Sequence, residues 1–274
     1  MKKLLILCLS LFLGIHVYGQ MISSQDDFVL IDGYLYANKI GDSDKSIANS
    51  VYKPGSVFTF NYKYIDTTGK EMFFIIKKYG EWDFTETNRS DENVVKEFKL
   101  EVQNNNRFYR DLSFYQTNIL YRINKNETTT GLIENEFNIW LHPPREYLFK
   151  ILELNPFPYI KSPIAVGNSW EWKLQIGAQW GDKRWKEWSG NIENKYRYKI
   201  TGKEELNINF GSIECYVVES QAVSELGVTK LKSYFNERYG FVRLEYTNID
   251  NSRIEMNLQK AHFQVIDDLK LGLW

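Results

Sequence analysis

The sequence predicts a mainly β protein: an antiparallel meander curled into a barrel-like or half-barrel sheet, with one short helix near residues 145–154. Three observations carry this. Apolar and polar side chains alternate with a period of two in many short stretches after residue 27, the pattern of strands with one buried face. Turn signals separate these stretches at intervals of about 8–15 residues, which suit hairpins and leave too little room for repeated βαβ crossovers. The chain is also 43% hydrophobic and 16% aromatic, enough to fill a core.

The first nineteen residues read as a secretory signal peptide. Lys2 and Lys3 form a positive start, Leu4 to Val17 an apolar run, and Val17-Tyr18-Gly19 a cleavage site before Gln20. The apolar run is short for a membrane span. Cleavage leaves 255 residues, and losing the two lysines takes the formal charge from -1 to -3. It also leaves Cys215 as a lone cysteine, so the fold must stand in an exported compartment without an internal disulfide. A chain of this size buries about 70–75% of its unfolded surface and can do so. The near-neutral charge argues against nucleic acid as a partner, and the aromatic content argues against disorder.

Strands are expected at Phe28–Tyr36, Val57–Tyr64, Glu71–Lys78, Val95–Val102, Ser113–Asn124, Phe137–Leu141, Trp170–Ile176, Tyr196–Ile200, Ile213–Ser220, Thr229–Phe235, Phe241–Thr247 and Ile254–Gln259. Turns fall at Thr67-Thr68-Gly69, Asn104-Asn105-Asn106, Glu225-Leu226-Gly227, Arg238-Tyr239-Gly240 and Asp250-Asn251-Ser252. Asn88–Asn93 and Lys125–Gly131 read as exposed loops. The helix expected over Arg145–Leu154 starts after Pro143-Pro144 and stops at Asn155-Pro156. Residues 155–168 hold Pro156, Pro158, Pro163 and Gly167. That segment is the expected joint if the mature chain, 20–274, forms two subdomains, 20–155 and 165–274.

Four stretches between residues 167 and 258 group together: Gly167-Asn168-Ser169-Trp170, Tyr196 to Glu204, Gly211 to Glu219, and Ser233 to Leu244. With them the chain resembles a class of exported all-β domains of unknown function from Gram-negative bacteria. The resemblance implies strands curling into a lipocalin-like or half-barrel sheet. It implies no catalytic residue.

Trp180-Gly181-Asp182-Lys183-Arg184-Trp185-Lys186-Glu187-Trp188 places three tryptophans among five charges between two alternating strands. If those strands run on, Trp180 and Trp188 share one face and Trp185 takes the other. Indoles beside hydrogen-bonding charges suit a sugar ring, the mouth of a barrel or a protein partner, or else close a core. Trp180, Arg184, Trp185 and Trp188 are therefore the candidate ligand-binding residues. His142, before Pro143-Pro144, is a weaker candidate, because a general base needs a partner and a metal site at least three ligands. Cys215 sits between glutamates in a strand interior, a setting opposed to thiolate chemistry. No nucleophile elbow or phosphate-cradling glycine loop is present. No catalytic or metal-ligating set and no cofactor is expected. A carboxylate pair, which a hydrolase needs, cannot be located by spacing alone.

An outer-membrane barrel would end in an aromatic-rich alternating strand, and the segment ending at Trp274 does not. The expectation is a non-enzymatic binding protein, periplasmic or extracellular, with no membrane span after cleavage. It would bind a hydrophobic or amphipathic small molecule, lipid-like in kind, or an envelope protein. Alternatives are carbohydrate binding through the tryptophan cluster, a carboxylate-dependent hydrolase, and a structural envelope component.

Overall fold

A computed structural model describes residues 50–86, 93–103, 117–134 and 137–263. The leader, the expected strand Phe28–Tyr36 and the turn Asn104–Asn106 lie outside them. The strands are β1 (Val57–Ile65), β2 (Glu71–Ile76), β3 (Trp82–Thr85), β4 (Val94–Val95), β5 (Glu97–Val102), β6 (Thr117–Ile123), β7 (Asn126–Glu134) and β8 (Asn138–Leu141). They continue as β9 (Tyr159–Lys161), β10 (Ser169–Gly177), β11 (Asn191–Ile208), β12 (Gly211–Ser224), β13 (Gly227–Asn236), β14 (Gly240–Thr247) and β15 (Arg253–His262). Within the described residues the predicted periodicity thus produces strands where expected; β3 and β9 form where no strand was expected, and one expected loop is also a strand. Lys125–Gly131 is not a loop but the start of β7, turned back on β6 through Asn124, whose φ is 52°. Thr128, Thr129 and Thr130 pair with Tyr121, Leu120 and Ile119, as β-branched residues favour.

The main path of the sheet runs β10-β11-β12-β13-β14-β15-β1-β5-β6-β7-β8-β9, antiparallel throughout, and nearly closes into a barrel. It is a meander with one long-range join, β15 against β1, which stitches the end of the described chain to its beginning. Off this path, β2 pairs with β1, β3 and β4. At the seam, β9 meets β10 by side chains. Tyr159 sits 5.4 Å from Trp170 and 5.5 Å from Tyr198, and Trp170 stacks on Tyr198 at 6°.

The expected helix is a 3-10 helix, Tyr147–Leu154, held by i to i+3 bonds such as Phe149 N to Glu146 O, 3.0 Å. Its sequence YLFKILEL is apolar nearly all round, which demands burial on every side. It lies against the interior of the sheet. Phe149 packs edge-on to Tyr62, Phe74 and Phe98 at 5.3, 5.6 and 5.3 Å. The Leu154 carbonyl accepts hydrogen bonds from Asn194 Nδ2 and Thr229 Oγ1, and Asn155 Nδ2 donates to the Thr247 carbonyl at 3.0 Å. Trp140, Phe157, Tyr196, Phe235 and Phe241 fill the rest. No helix among the described residues is long and apolar enough to cross a membrane.

Candidate functional site

The tryptophan segment does not continue the strands on either side. β10 ends at Gly177, a 3-10 turn follows at Ala178–Trp180, and a bridge between Asp182 and Lys186 closes a tight turn. The side chains therefore do not alternate between faces. Trp180, Trp185 and Trp188, all half-buried, pack on one satellite cluster of Leu154, Ile176 and Ile192. This corrects the two-face expectation, which needed extended backbone through residues 180–188.

Two partners of this cluster come from far away in the chain. Trp82 lies 6.3 Å from Trp185 with rings 29° from parallel. The Arg184 guanidinium sits 4.1 Å over the Trp82 ring and donates to the Trp82 carbonyl at 3.1 Å. It also pairs with Asp182 at 2.8 Å. Arg145 lies 5.2 Å over Trp180, and Lys150 Nζ donates to the Gly181 carbonyl at 3.1 Å. Trp82 and Arg145 were missed from sequence because no local signal marks a contact across so many residues.

His142 lies inside the sheet. Its Nδ1 is 2.7 Å from the Pro143 carbonyl and its Nε2 is 3.5 Å from Glu153 Oε1, with both side chains buried. Rings of Trp140 and Phe157 flank it. The pair joins the β8 end to the helix. Cys215 is fully buried, and burial pushes its thiol up to about 12. Among the described residues, no group of three or more His, Cys, Asp or Glu is placed to hold a metal.

A concavity among the described residues lies on the outward face, across β10 to β15, with a volume of about 880 Å³. Strand register lines up its side chains in two rows. One runs Lys199, Glu219, Lys232, Glu245, Glu255 and on to Lys63. The other runs Glu171, Arg197, Gln221, Lys230, Thr247, Arg253. Opposite charges face each other along most of the first row, which stabilises cross-strand pairing. In the second, Arg197 pairs with Glu171 at 2.9 Å. Lys230 and Arg253 have no carboxylate within 4.0 Å among the described residues. Alternate strands lie about 10 Å apart, so Arg197, Lys230 and Arg253 form an evenly spaced basic stripe. Burial works against the charge of Lys232, but the Tyr234 hydroxyl and Glu204 carboxylate outweigh it and hold its pKa above the ordinary lysine value. The polar positions of the predicted alternation were legible in sequence, but their alignment into rows was not.

Fold and surface together define an all-β protein whose curled sheet is filled by its own chain and carries a polar trough outside. No family model and no curated protein matches the chain. Several solved structures are similar, among them the following three. One is a protein from Bacteroides fragilis described as exported with a YmcC-like fold, at 11% identity and a TM-score of 0.41, covering 78% of this chain and 98% of that one. A protein from Parabacteroides distasonis described as a lipoprotein has 11% identity and a TM-score of 0.41, covering 77% and 97%. The hypothetical lipoprotein YmcC of Escherichia coli has 12% identity and a TM-score of 0.33, covering 76% and 88%.

Proposed function

We propose that this is an exported, non-enzymatic binding protein that engages an amphipathic small molecule or an envelope protein on its outer trough. The leader-like run before Gln20 supports export. The observation that carries the choice of site is the contrast between the two sides of the sheet. A lipocalin-like mode would hold an apolar ligand inside, but Phe149, Phe157 and Trp140 occupy that interior with no exposed surface. The concave surface lies outside, where aliphatic lysine and arginine stems carry charged heads. Such a lining suits a ligand that is part apolar and part anionic, or the polar rim of a protein partner.

Carbohydrate binding at the tryptophan end has the half-buried indoles of Trp180, Trp185 and Trp188 in its favour. Against it, the Arg184 guanidinium already lies over one face of the neighbouring Trp82 ring. Native mass spectrometry of protein purified from its own envelope separates these readings. A copurified molecule or partner should be lost in a Lys230→Glu/Arg253→Glu variant and retained in Trp185→Ala. The reverse result would overturn the trough and favour the tryptophan cluster.

A further inference from the structure

β10 is one end of the main path of the sheet, β9 being the other. It pairs with β11 over nine residues in unbroken register, and among the described residues no strand is hydrogen-bonded to its other side. It contains no proline and no bulge, two of the usual devices for blunting an edge. β9 touches it through the Tyr159 ring at Trp170, Phe157 lies 6.3 Å from Trp172, and from Glu171 onward no strand among the described residues pairs with its open side. Its inward row is also under-covered. Trp172 and Leu174 remain half-buried, while Tyr196 and Asn194, their partners on β11, are buried.

We infer that β10 is the contact strand of a two-fold symmetric dimer, pairing antiparallel with β10 of a second copy about an axis through Trp172. The register argument favours this arrangement over those centred on the neighbouring residues. Registers offset by one residue oppose inward and outward side chains and put indoles against carboxylates. An axis through Glu171 opposes Glu171 to itself, and one through Lys173 opposes Lys173 to itself, and like charges directly opposite destabilise. The axis through Trp172 satisfies both faces at once. Inward, Trp172 meets Trp172 and Trp170 meets Leu174. Outward, Glu171 meets Lys173 and Ser169 meets Gln175. The outward pairs add to charge pairing already present. Glu171 is bonded to Arg197, its register partner, at 2.9 Å, and Lys173, which stands opposite Lys195, reaches Glu193 diagonally at 3.0 Å, so the second copy's Lys173 sits between Glu171 and its own Glu193. The contact is isologous and closes at two copies.

The test is sedimentation equilibrium of the purified protein and two charge variants. The wild type should be a reversible dimer. Glu171→Lys alone and Lys173→Glu alone place like charges opposite each other in both symmetry-related pairs, and each should weaken dimerisation about tenfold or more. A one-to-one mixture of the two variants restores Lys against Glu in both pairs and should recover the dimer as a heterodimer. This recovery also shows that both variants fold. A monomeric wild type at its solubility limit, or a mixture that associates no better than either variant alone, would overturn the proposal.

Discussion

Glu134 is the residue whose loss should damage the fold most for the smallest chemical change. Its side chain is buried at the end of β7. Oε1 accepts hydrogen bonds from Ser50 N, Ser50 Oγ and Val51 N at 2.8, 2.9 and 2.8 Å, and Oε2 accepts one from Tyr52 N at 2.9 Å. The carboxylate thus pins the first described residues to a strand more than eighty positions away. That in turn seats Tyr52 in the core, where its hydroxyl accepts from the Phe241 amide at 2.9 Å. Gly240 leaves the room for this ring: its φ is +73°, and a Cβ there would lie 2.3 Å from the Tyr52 hydroxyl. Glu134→Gln keeps one acceptor oxygen but turns an amide NH2 toward the Tyr52 N–H. One orphaned buried donor costs about 1–3 kcal/mol. Glu134→Ala orphans the buried Val51 and Tyr52 donors, while exposed Ser50 regains water, for about 2–6 kcal/mol. Urea unfolding should show the midpoint falling in the order wild type, Gln, Ala with an unchanged slope. Hydrogen exchange should report early loss of protection at the Phe241 amide. If Glu134→Ala stays within about 0.5 kcal/mol of wild type, as a neutral surface change would, the anchoring argument is wrong.

Two further outcomes follow from buried ionisable groups. Tyr52, Tyr62, Tyr196 and Tyr246 have pKa values raised by burial, and those of Tyr121 and Tyr198 are raised well above the ordinary value of 10.0. A folded pKa above the unfolded one gives stability that is fully present below about pH 10 and is lost as the pH rises through the folded values. Tyrosinate absorbance should therefore appear together with loss of the β circular-dichroism signal; gradual ionisation near pH 10 with the sheet intact would contradict the burial. Cys215, with its thiol pushed up to about 12, should ignore a thiol reagent at pH 8 and react fully in denaturant. Rapid labelling of the native protein would show that β12 is open there.

The strands were legible because alternation is a local signal. Phe58, Phe60, Tyr62 and Tyr64 turn to the core and Asn61 and Lys63 to water, as period two requires. The helix was legible from its prolines and its apolar run, although the 3-10 geometry was not, since burial on all sides removes the face that periodicity reads. β7 was misjudged where Lys125, Asn126 and Glu127 outweighed the threonines that follow. The sites were less legible because they are products of strand order. Arg184 and Trp82 meet only when the β2–β3 hairpin comes to lie beside the β10–β11 connection. The trough exists only because β11 to β15 lie side by side in register.

The occupied interior is the premise on which the outer site rests, and Phe149 tests it. This ring is fully buried in the first turn of the helix, in contact with Tyr62, Phe74 and Phe98. Phe149→Ala removes those contacts from a site walled by strands on several sides, which cannot collapse freely, so the cost should be about 3–5 kcal/mol. The space left is apolar, and an apolar cavity of this kind stays dry and accepts small aromatic molecules. The variant should therefore gain thermal stability from added benzene, because a ligand that binds only the folded state raises its stability by mass action. The wild type should gain none. A wild type that is stabilised by benzene as strongly as the variant would mean that the sheet already holds an accessible apolar chamber. The ligand would then belong inside the barrel, and the charged rows outside would be solvated surface.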